Sequence, residues 1–198
     1  GGITRTRTEY TVDTDDDDHN ADDQINAVVN GNDVYQGYWD PSKYLNIFIC
    51  KFLPYNAAGY TNYPASFYHG DMYGNGIFMR SGYIGEIGTS SPSTSRTLTH
   101  ECGHWLNLPH TWGSTNEPGL ASNCSTDDGV SDTPNTIGVQ SCNLSESTCG
   151  TLANVQNYMD YSYCSKMFTL GQKSRMRTAL QSSIAGRNNL WQVSNLQE

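Results

Sequence analysis

Hydrophobic residues follow strand-like patterns in the first half of the chain. Residues 3–12 alternate small polar side chains with β-branched or aromatic ones, which predicts an exposed strand. The apolar run at 44–53, rich in Ile and Phe, predicts a buried central strand that ends at Pro54. Residues 54–76 are dense in Gly, Pro, Asn and Tyr, so we expect irregular structure there, and we interpret the short strand predicted at 76–79 as a sheet edge.

Two later segments have the spacing of amphipathic helices. The first follows residues able to cap a helix and predicts a helix near 94–107. In the second, Thr169 is the expected N-cap, and an apolar stripe runs from Met176 to Ile184. No regular element is predicted between them at 109–151.

Composition and charge narrow the classes of function. The 198 residues carry a formal net charge of −9, so nucleic acid and anionic membrane surfaces are not expected as partners, because both repel an acidic protein. No run of about eighteen apolar residues is present that could span a membrane. The acidic run DTDDDDHNADDQ at 13–24 predicts a solvated loop, with a calcium-ordered turn as the alternative.

The cysteines indicate an oxidising compartment. Four of the six crowd into a region with few signals of regular structure, which is typical of disulfide stapling in a secreted, extracellular protein. Reduced thiols in a cytosolic protein are the alternative. It is the weaker one, because no CxxC pair suggests a zinc knuckle.

The segment THECGHWLNLPHTW at 99–112 contains three of the five histidines. On a helix, His100 and His104 project from one face with about 5–6 Å between their β-carbons, so both imidazoles can bind one tetrahedral metal ion. Glu101 can then bind a water held by the metal, which is the physical meaning of an HExxH pattern. The alternative is an amphipathic helix whose histidines are satisfied by ordinary hydrogen bonds.

A third imidazole follows six residues after the second. His110 can reach the same metal if the helix stops at Asn107 and the chain doubles back, and Asn tolerates the left-handed conformation that such a stop needs. Pro109 prevents the helix from continuing. Three neutral imidazoles leave the fourth zinc position open for water, as in catalytic rather than structural sites.

The extended pattern HExxHxxNxxH resembles the metzincin metallopeptidases, which usually have Gly in place of Asn107. A methionine in a turn beneath the metal is a second metzincin mark, and QNYMDYS supplies Met159. The chain is most similar to the pappalysin family, through WDPSKYLNIFIC, GYTNYP, RTLTHECGHWLNLPHTWG, DGVSDTP and NYMDYS, which together span most of residues 39–180.

The resemblance implies an α+β fold. We expect a metzincin-like, two-lobed catalytic domain over residues 1–198, with an upper lobe at about 1–107 and a lower lobe at about 108–198. The upper lobe would hold a twisted, mostly parallel sheet with an antiparallel edge strand and the zinc-binding helix. The lower lobe would be irregular, stapled by disulfides and calcium, and followed by a C-terminal helix. The further strand and backing helix that the family has before the segment matching GGITR are expected to be missing.

The resemblance also implies roles for individual residues. Tyr161 would lie near the zinc and stabilise the transition state. The family's disulfides map onto Cys124–Cys149 and Cys142–Cys164. Its calcium loop maps onto STDDGVSDT, whose carboxylates, hydroxyl and backbone carbonyls are hard oxygen ligands, although a polar turn is the alternative. The expected calcium ligands are Asp127, Asp128, Val130, Asp132 and Thr133.

Two features have no assignment within the resemblance. Cys50 and Cys102 form either a third disulfide or a pair of buried thiols, and we favour the disulfide. The relatives that cut before Arg or Lys have a longer loop, with an acidic residue just before a cysteine. Here Tyr163 precedes Cys164, so a preference for basic residues is in doubt.

We therefore predict a secreted zinc endopeptidase with Glu101 as general base. Protein or peptide substrates would bind in extended form along the sheet edge at 76–79. We expect a monomer and leave open a removed N-terminal segment or pro-peptide. The alternative is a catalytically impaired, calcium-dependent binding or assembly module on the same scaffold.

Overall fold

A computed structural model describes Val29 and residues 39–66 and 75–196. The exposed strand predicted at 3–12 and the acidic run at 13–24 lie outside these residues. Within the described ranges, no helix is both long enough and apolar enough to cross a membrane.

A three-stranded mixed sheet forms the first part of the fold. Its strands are β1 (Asn46–Cys50), β2 (Gly59–Thr61) and β3 (Gly76–Arg80), in the order β1-β3-β2. β1 pairs with β3 in parallel, and β2 pairs with β3 antiparallel. The strands predicted at 44–53 and 76–79 are therefore confirmed, but the edge position predicted for 76–79 is wrong, because this strand lies between the other two.

The antiparallel edge strand is β2, which lies in the segment predicted to be irregular. Three residues are too few to show an alternating pattern, and Gly59 at its start has no side chain to contribute to one. Periodicity could therefore not identify this strand. The buried central position predicted for the strand at 44–53 is also wrong, since β1 lies at one end of the three described strands and Ile47 and Ile49 are 40% and 55% exposed.

The two faces of the sheet pack against different clusters. Cys50 packs with Val29, Leu53 and Phe78 on one face. On the other face, Ile77 and Met79 pack against Trp105, with Cys102 at the border of this second cluster. Cys50 and Cys102 are free thiols, so the third disulfide that we favoured is wrong. The physical reason is that the sheet lies between the two clusters.

The helices lie close to the predicted positions. A 3-10 turn at Thr94–Arg96 leads into α1 (Thr97–Trp105), and α2 spans Leu170–Gln181. The predicted N-cap of α2 is confirmed: Thr169 and Gln172 form a reciprocal capping box, in which each side chain bonds the other residue's backbone. The short helix α3 follows at Val193–Leu196. Further 3-10 turns span Pro54–Asn56, Pro64–Ser66, Ser81–Tyr83, Ala121–Ser125 and Ile184–Asn189.

The segment between α1 and α2 has little regular structure, as predicted. It contains one short hairpin, whose strands β4 (Ser147–Thr148) and β5 (Thr151–Leu152) have two residues each. Two disulfides cross-link it, Cys124–Cys149 and Cys142–Cys164, with the pairing that the resemblance implied. Such cross-links stabilise a loop-rich segment mainly by restricting its unfolded state.

A buried arginine joins the C-terminal segment to α1. The Arg187 guanidinium lies 3.5 Å from the centroid of the Trp105 ring and donates a hydrogen bond to Asn75. This cation–π contact packs the turn at 184–189 against the side of α1 that faces the sheet. Ile184 belongs to this turn and is 52% exposed, so the apolar stripe predicted for α2 does not extend to it.

Candidate active site

The chain reverses direction directly after α1. The Asn107 N–H donates to the His104 carbonyl and the Leu108 N–H donates to the Gly103 carbonyl, at 2.8 and 2.9 Å. These two bonds define a Schellman motif, which requires a left-handed residue after the helix, and Asn107 has a φ of 73°. The Arg175 Nε–H donates to the Asn107 carbonyl at 2.7 Å and so attaches the turn to α2.

The reversal brings three imidazoles together. The Nε2 atom of His104 lies 3.0 Å from that of His100 and 3.1 Å from that of His110. All three rings are buried, and their ligand atoms lie within 4.8 Å of one another. In the part of the chain that the structure describes, no other group of three His, Cys, Asp or Glu side chains is arranged in this way.

Backbone carbonyls orient each ring. The carbonyls of Tyr158, Leu108 and Thr115 lie 2.6, 2.7 and 3.0 Å from the Nδ1 atoms of the three histidines. Because a carbonyl only accepts, each Nδ1 carries the proton and each Nε2 presents its lone pair to the centre. This is the usual outer-shell arrangement of metal-ligating histidines.

The imidazoles are held neutral by their surroundings. Burial lowers the pKa of His100 to about 4 and that of His110 to about 3. The pKa of His104 lies well below its usual range because burial and two neighbouring imidazoles disfavour its charged form. Three converging lone pairs within 4.8 Å of one another repel each other unless a cation lies between them, so the donor set fits zinc.

Two aromatic residues surround the third histidine. The Trp112 ring stacks on His110, with centroids 4.3 Å apart and an interplanar angle of 3°. Tyr161 lies edge-on to His110 at 5.0 Å and is 40% exposed, so its ring contacts the triad and its edge reaches solvent. Burial raises the pKa of Tyr161 to about 12, so its hydroxyl stays protonated and able to donate.

Glu101 occupies a narrow space beside β2. A β-carbon placed on Gly59 would lie 3.0 Å from the Cγ of Glu101 and 2.9 Å from the Sδ of Met79. Glycine is therefore needed at this position of the edge strand to leave room for the glutamate. Burial raises the pKa of Glu101 to about 8, which brings it into the range of a group that exchanges protons near neutral pH.

Met159 lies under α1, as expected for the methionine turn. It is fully buried, and a β-carbon on Gly103 would lie only 2.3 Å from its Sδ. The Asn157 side chain accepts from the Met159 N–H and exchanges two hydrogen bonds with Gln172, a member of the capping box of α2. The methionine turn is thus connected to the start of α2.

Several residues that shape the site have no role predicted from the sequence. Trp112 and Gly59 occur in segments that carried the resemblance, but no spacing rule singles them out. Tyr63 lies edge-on to His104 at 5.4 Å, and burial raises its pKa. A tyrosine in a loop has no sequence signal for such a contact.

The loop predicted to bind calcium contains one buried carboxylate. Asp128 is 3% exposed, and its Oδ1 accepts from the Val130 N–H at 2.9 Å, while its Oδ2 has no hydrogen-bond partner. Burial raises the pKa of Asp128 to about 6. The Thr133 hydroxyl donates to the Val130 carbonyl at 2.9 Å, and Asp127 accepts from the Gly129 N–H.

Asp132 is positioned differently. Its carboxylate accepts from the Thr169 hydroxyl at 2.7 Å and from the Gly171 N–H at 2.9 Å, which stabilises the start of α2. Both oxygens therefore have partners within the chain. The structure brings this aspartate to α2 rather than into a group with the other two carboxylates.

A cleft of about 890 Å³ is lined by His100, the first of the three histidines. Glu101 and Tyr161 line it, β2 and the preceding residues form one wall, and residues 158–165 form the other. The cleft is open to solvent between these two walls.

Comparison with known proteins assigns the family. The model of the peptidase M43 family, described as pregnancy-associated plasma protein-A, matches residues 28–181. The chain belongs to the peptidase M43 (pappalysin) family. The histidine triad, the methionine turn and both disulfides all lie within the matched range.

Several fungal relatives of this M43 chain are named extracellular metalloproteases. The one from Arthroderma otae is 36% identical over 117 residues, which cover 57% of this chain and 41% of the relative. The one from Sordaria macrospora is 35% identical over 142 residues, which cover 68% and 47%. The chain thus spans about half the length of the curated relatives it matches.

The solved structures similar to this M43 chain include mature mirolysin of Tannerella forsythia in complex with a cleaved peptide. The two share 30% sequence identity at a TM-score of 0.72, over 87% of this chain and 65% of mirolysin. A promirolysin mutant from the same organism matches with a TM-score of 0.70 and 29% identity. The mixed sheet and helices therefore have the metzincin-like arrangement of these neighbours.

Proposed function

We propose that this chain is the single catalytic domain of a secreted zinc endopeptidase. The observation that carries the proposal is the convergence of three neutral imidazoles beside a buried glutamate in an open cleft. Family membership and two disulfides in a loop-rich segment support it, as do relatives named extracellular metalloproteases. The alternative of an impaired binding module has no support in this site, because none of the expected zinc ligands or the base is displaced.

Zinc held by His100, His104 and His110 would supply Lewis-acid polarisation of the scissile carbonyl and a water of lowered pKa. Glu101 accepts the proton of the attacking water and later delivers it to the leaving amine. One carboxyl group can serve both steps, because the proton that it takes from the water is the proton that it gives to the amine.

Tyr161 donates a hydrogen bond to the developing oxyanion. Its ring contacts His100 and His110, and its phenol keeps its proton because burial raises the pKa. Such a donor contributes most when it is already oriented before the reaction.

The substrate lies extended along β2, whose residues line the cleft, and not along residues 76–79 as first expected. The peptide seen with mirolysin supports a peptide ligand.

The role of Glu101 is tested with Glu101→Gln, which keeps the side-chain shape and removes the proton acceptor. We expect the variant to bind one zinc per chain and to lose roughly 100-fold or more of its activity on a fluorogenic casein substrate. Glu117→Gln, an exposed glutamate outside the cleft, is the matched control. Activity of Glu101→Gln equal to that of the control would refute the proposed base.

We further propose that calcium binds the loop at 127–133 through Asp128. The buried Oδ2 without a hydrogen-bond partner supports this, because a buried carboxylate oxygen needs either a proton or a cation. With zinc saturating, added calcium is expected to raise the Tm of the wild type but not that of Asp128→Asn. Asp132→Asn should keep the calcium-induced rise in Tm but should have a lower Tm than the wild type without calcium. If calcium raised the Tm of Asp128→Asn and of the wild type equally, Asp128 would be excluded as a calcium ligand.

A further inference from the structure

One end of the cleft carries a cation that the proposed mechanism does not use. Arg96 is the residue immediately before α1 and has helical backbone angles, with φ −77° and ψ −15°. It lies one helical turn before His100, so the two side chains project from neighbouring positions on one face. Both side chains line the cleft.

The Arg96 guanidinium has no partner among the residues that the structure describes. Among the described residues, no hydrogen bond, ion pair or ring contact involves it. Arg80, Arg175 and Arg187, by contrast, each donate to a neighbouring group. An arginine that lines a substrate cleft with its five donors unsatisfied is able to pair with an anion that enters the cleft.

The charges around Arg96 favour an anion. Arg96 is the one Lys or Arg among the described residues that line the cleft, and the carboxyl groups in this lining are those of Glu101 and Asp160. Glu101 is buried beside the zinc site, and Asp160 is 3% exposed, with its Oδ1 bonded to the Val139 and Tyr161 amides. Neither carboxyl group is exposed on the described lining of the cleft to meet a basic side chain.

One neighbouring hydroxyl can add to the binding of an anion. Thr97 lines the cleft with a hydroxyl that can donate a hydrogen bond, whereas the Ser93 and Thr94 hydroxyls, which also line it, bond to Ser91. The first turn of α1 contains no acidic residue, and the nearby Glu86, which accepts a hydrogen bond from the Ser95 hydroxyl at 3.4 Å, is exposed and is not part of the cleft lining. On the opposite wall, Tyr163 presents an exposed phenol in place of a charge.

We propose that Arg96 binds a substrate carboxylate, so that the enzyme prefers Asp or Glu over Lys or Arg at one position close to the scissile bond. This inference rests on the proposed endopeptidase function and specifies its substrate class. Arginine and carboxylate form paired, charge-assisted hydrogen bonds, whereas a lysine at the same position would meet a like charge.

The experiment is cleavage profiling with fluorogenic peptides that differ at one position at a time. For the zinc-loaded wild type, we expect kcat/KM to be about tenfold higher or more for Glu than for Lys at one position within three residues of the cleaved bond. Arg96→Gln should reduce this ratio to near one, and Arg96→Glu should invert it. Arg177→Glu makes the same charge change on the exposed face of α2 and should keep the wild-type ratio.

Binding to the Glu101→Gln chain, measured by fluorescence anisotropy with the same Glu and Lys peptides, separates this inference from the proposed function. Tighter binding of the Glu peptide that is lost with Arg96→Gln supports the Arg96 assignment even if no cleavage occurs. The assignment would be overturned if Arg96→Glu and Arg177→Glu had equal ratios of kcat/KM for the Glu and Lys peptides, or if the wild type preferred the Lys peptide. Either result would leave the endopeptidase activity itself intact.

Discussion

The contact between α1 and the methionine turn predicts the effect of Gly103→Ala. Gly103 lies on α1 between the ligands His100 and His104, and its α-carbon faces the buried Met159. An added β-carbon would lie 2.3 Å from the Sδ of Met159, 3.3 Å from its Cε and 3.5 Å from the Phe168 ring. Because Met159 is 0% exposed, its side chain cannot move into solvent to relieve the clash.

Two opposing effects determine how much Gly103→Ala changes the free energy of unfolding. Alanine in place of glycine stabilises a helix by about 1 kcal/mol. Overpacking a rigid core costs about 1–3 kcal/mol, and the upper half applies here because the clash is with the middle of a buried side chain. We therefore expect a net loss of roughly 1–2 kcal/mol, which lowers the Tm of a domain of this size by roughly 2–8 °C.

The assay is thermal unfolding of the zinc-loaded protein, followed by circular dichroism. A double-mutant cycle with Met159→Ala isolates the contact, because removing the thioether leaves space for the new methyl group. We expect the double variant to be more stable than the sum of the single effects by at least about 1 kcal/mol. Gly82→Ala is the control, since its β-carbon would have no neighbour closer than 3.6 Å. Wild-type stability of Gly103→Ala, or strict additivity, would refute the packing argument.

Two further predictions concern the segment after α1. Asn107→Gly should leave the free energy of unfolding within about 0.5 kcal/mol of wild type, whereas Asn107→Val should lose about 1–2 kcal/mol, because a β-branched residue is strained at positive φ. Urea denaturation measures both, and equal stability of the two variants would contradict the role of the turn. Replacing Cys142 and Cys164 together by Ser should cost about 3 kcal/mol in the chain-entropy model for a loop of 22 residues. A loss below about 1 kcal/mol would show that packing, not the cross-link, orders this segment.

The zinc site was predictable because its determinants are local. The spacing of His100 and His104 depends only on helix geometry, and Asn107 followed by Pro109 specifies where the helix stops and the chain turns. The N-cap of α2 was predictable for the same reason, since a capping box involves residues three apart. Each of these predictions needed only a few neighbouring residues.

Features that depend on distant residues were not predictable. The position of β3 between β1 and β2 depends on pairing across the sheet, which an apolar run cannot reveal. The separation of Cys50 from Cys102 depends on which face of the sheet each residue occupies. Glycine at 59 and 103 is required by side chains that approach from other elements, so the sequence around each glycine contains no sign of its role.

The irregular segment holds the site together as much as the helix does. α1 supplies two imidazoles, but the carbonyl that orients His100 belongs to Tyr158, and the one that orients His110 belongs to Thr115. These carbonyls come from a segment with little regular structure, and the two disulfides cross-link that segment. Reducing the disulfides should therefore loosen the imidazoles as well as the loops, since a histidine without its outer-shell acceptor loses a fixed tautomer and orientation. Zinc affinity and disulfide state are thus expected to be coupled in this chain, even though no cysteine lies among the three ligands.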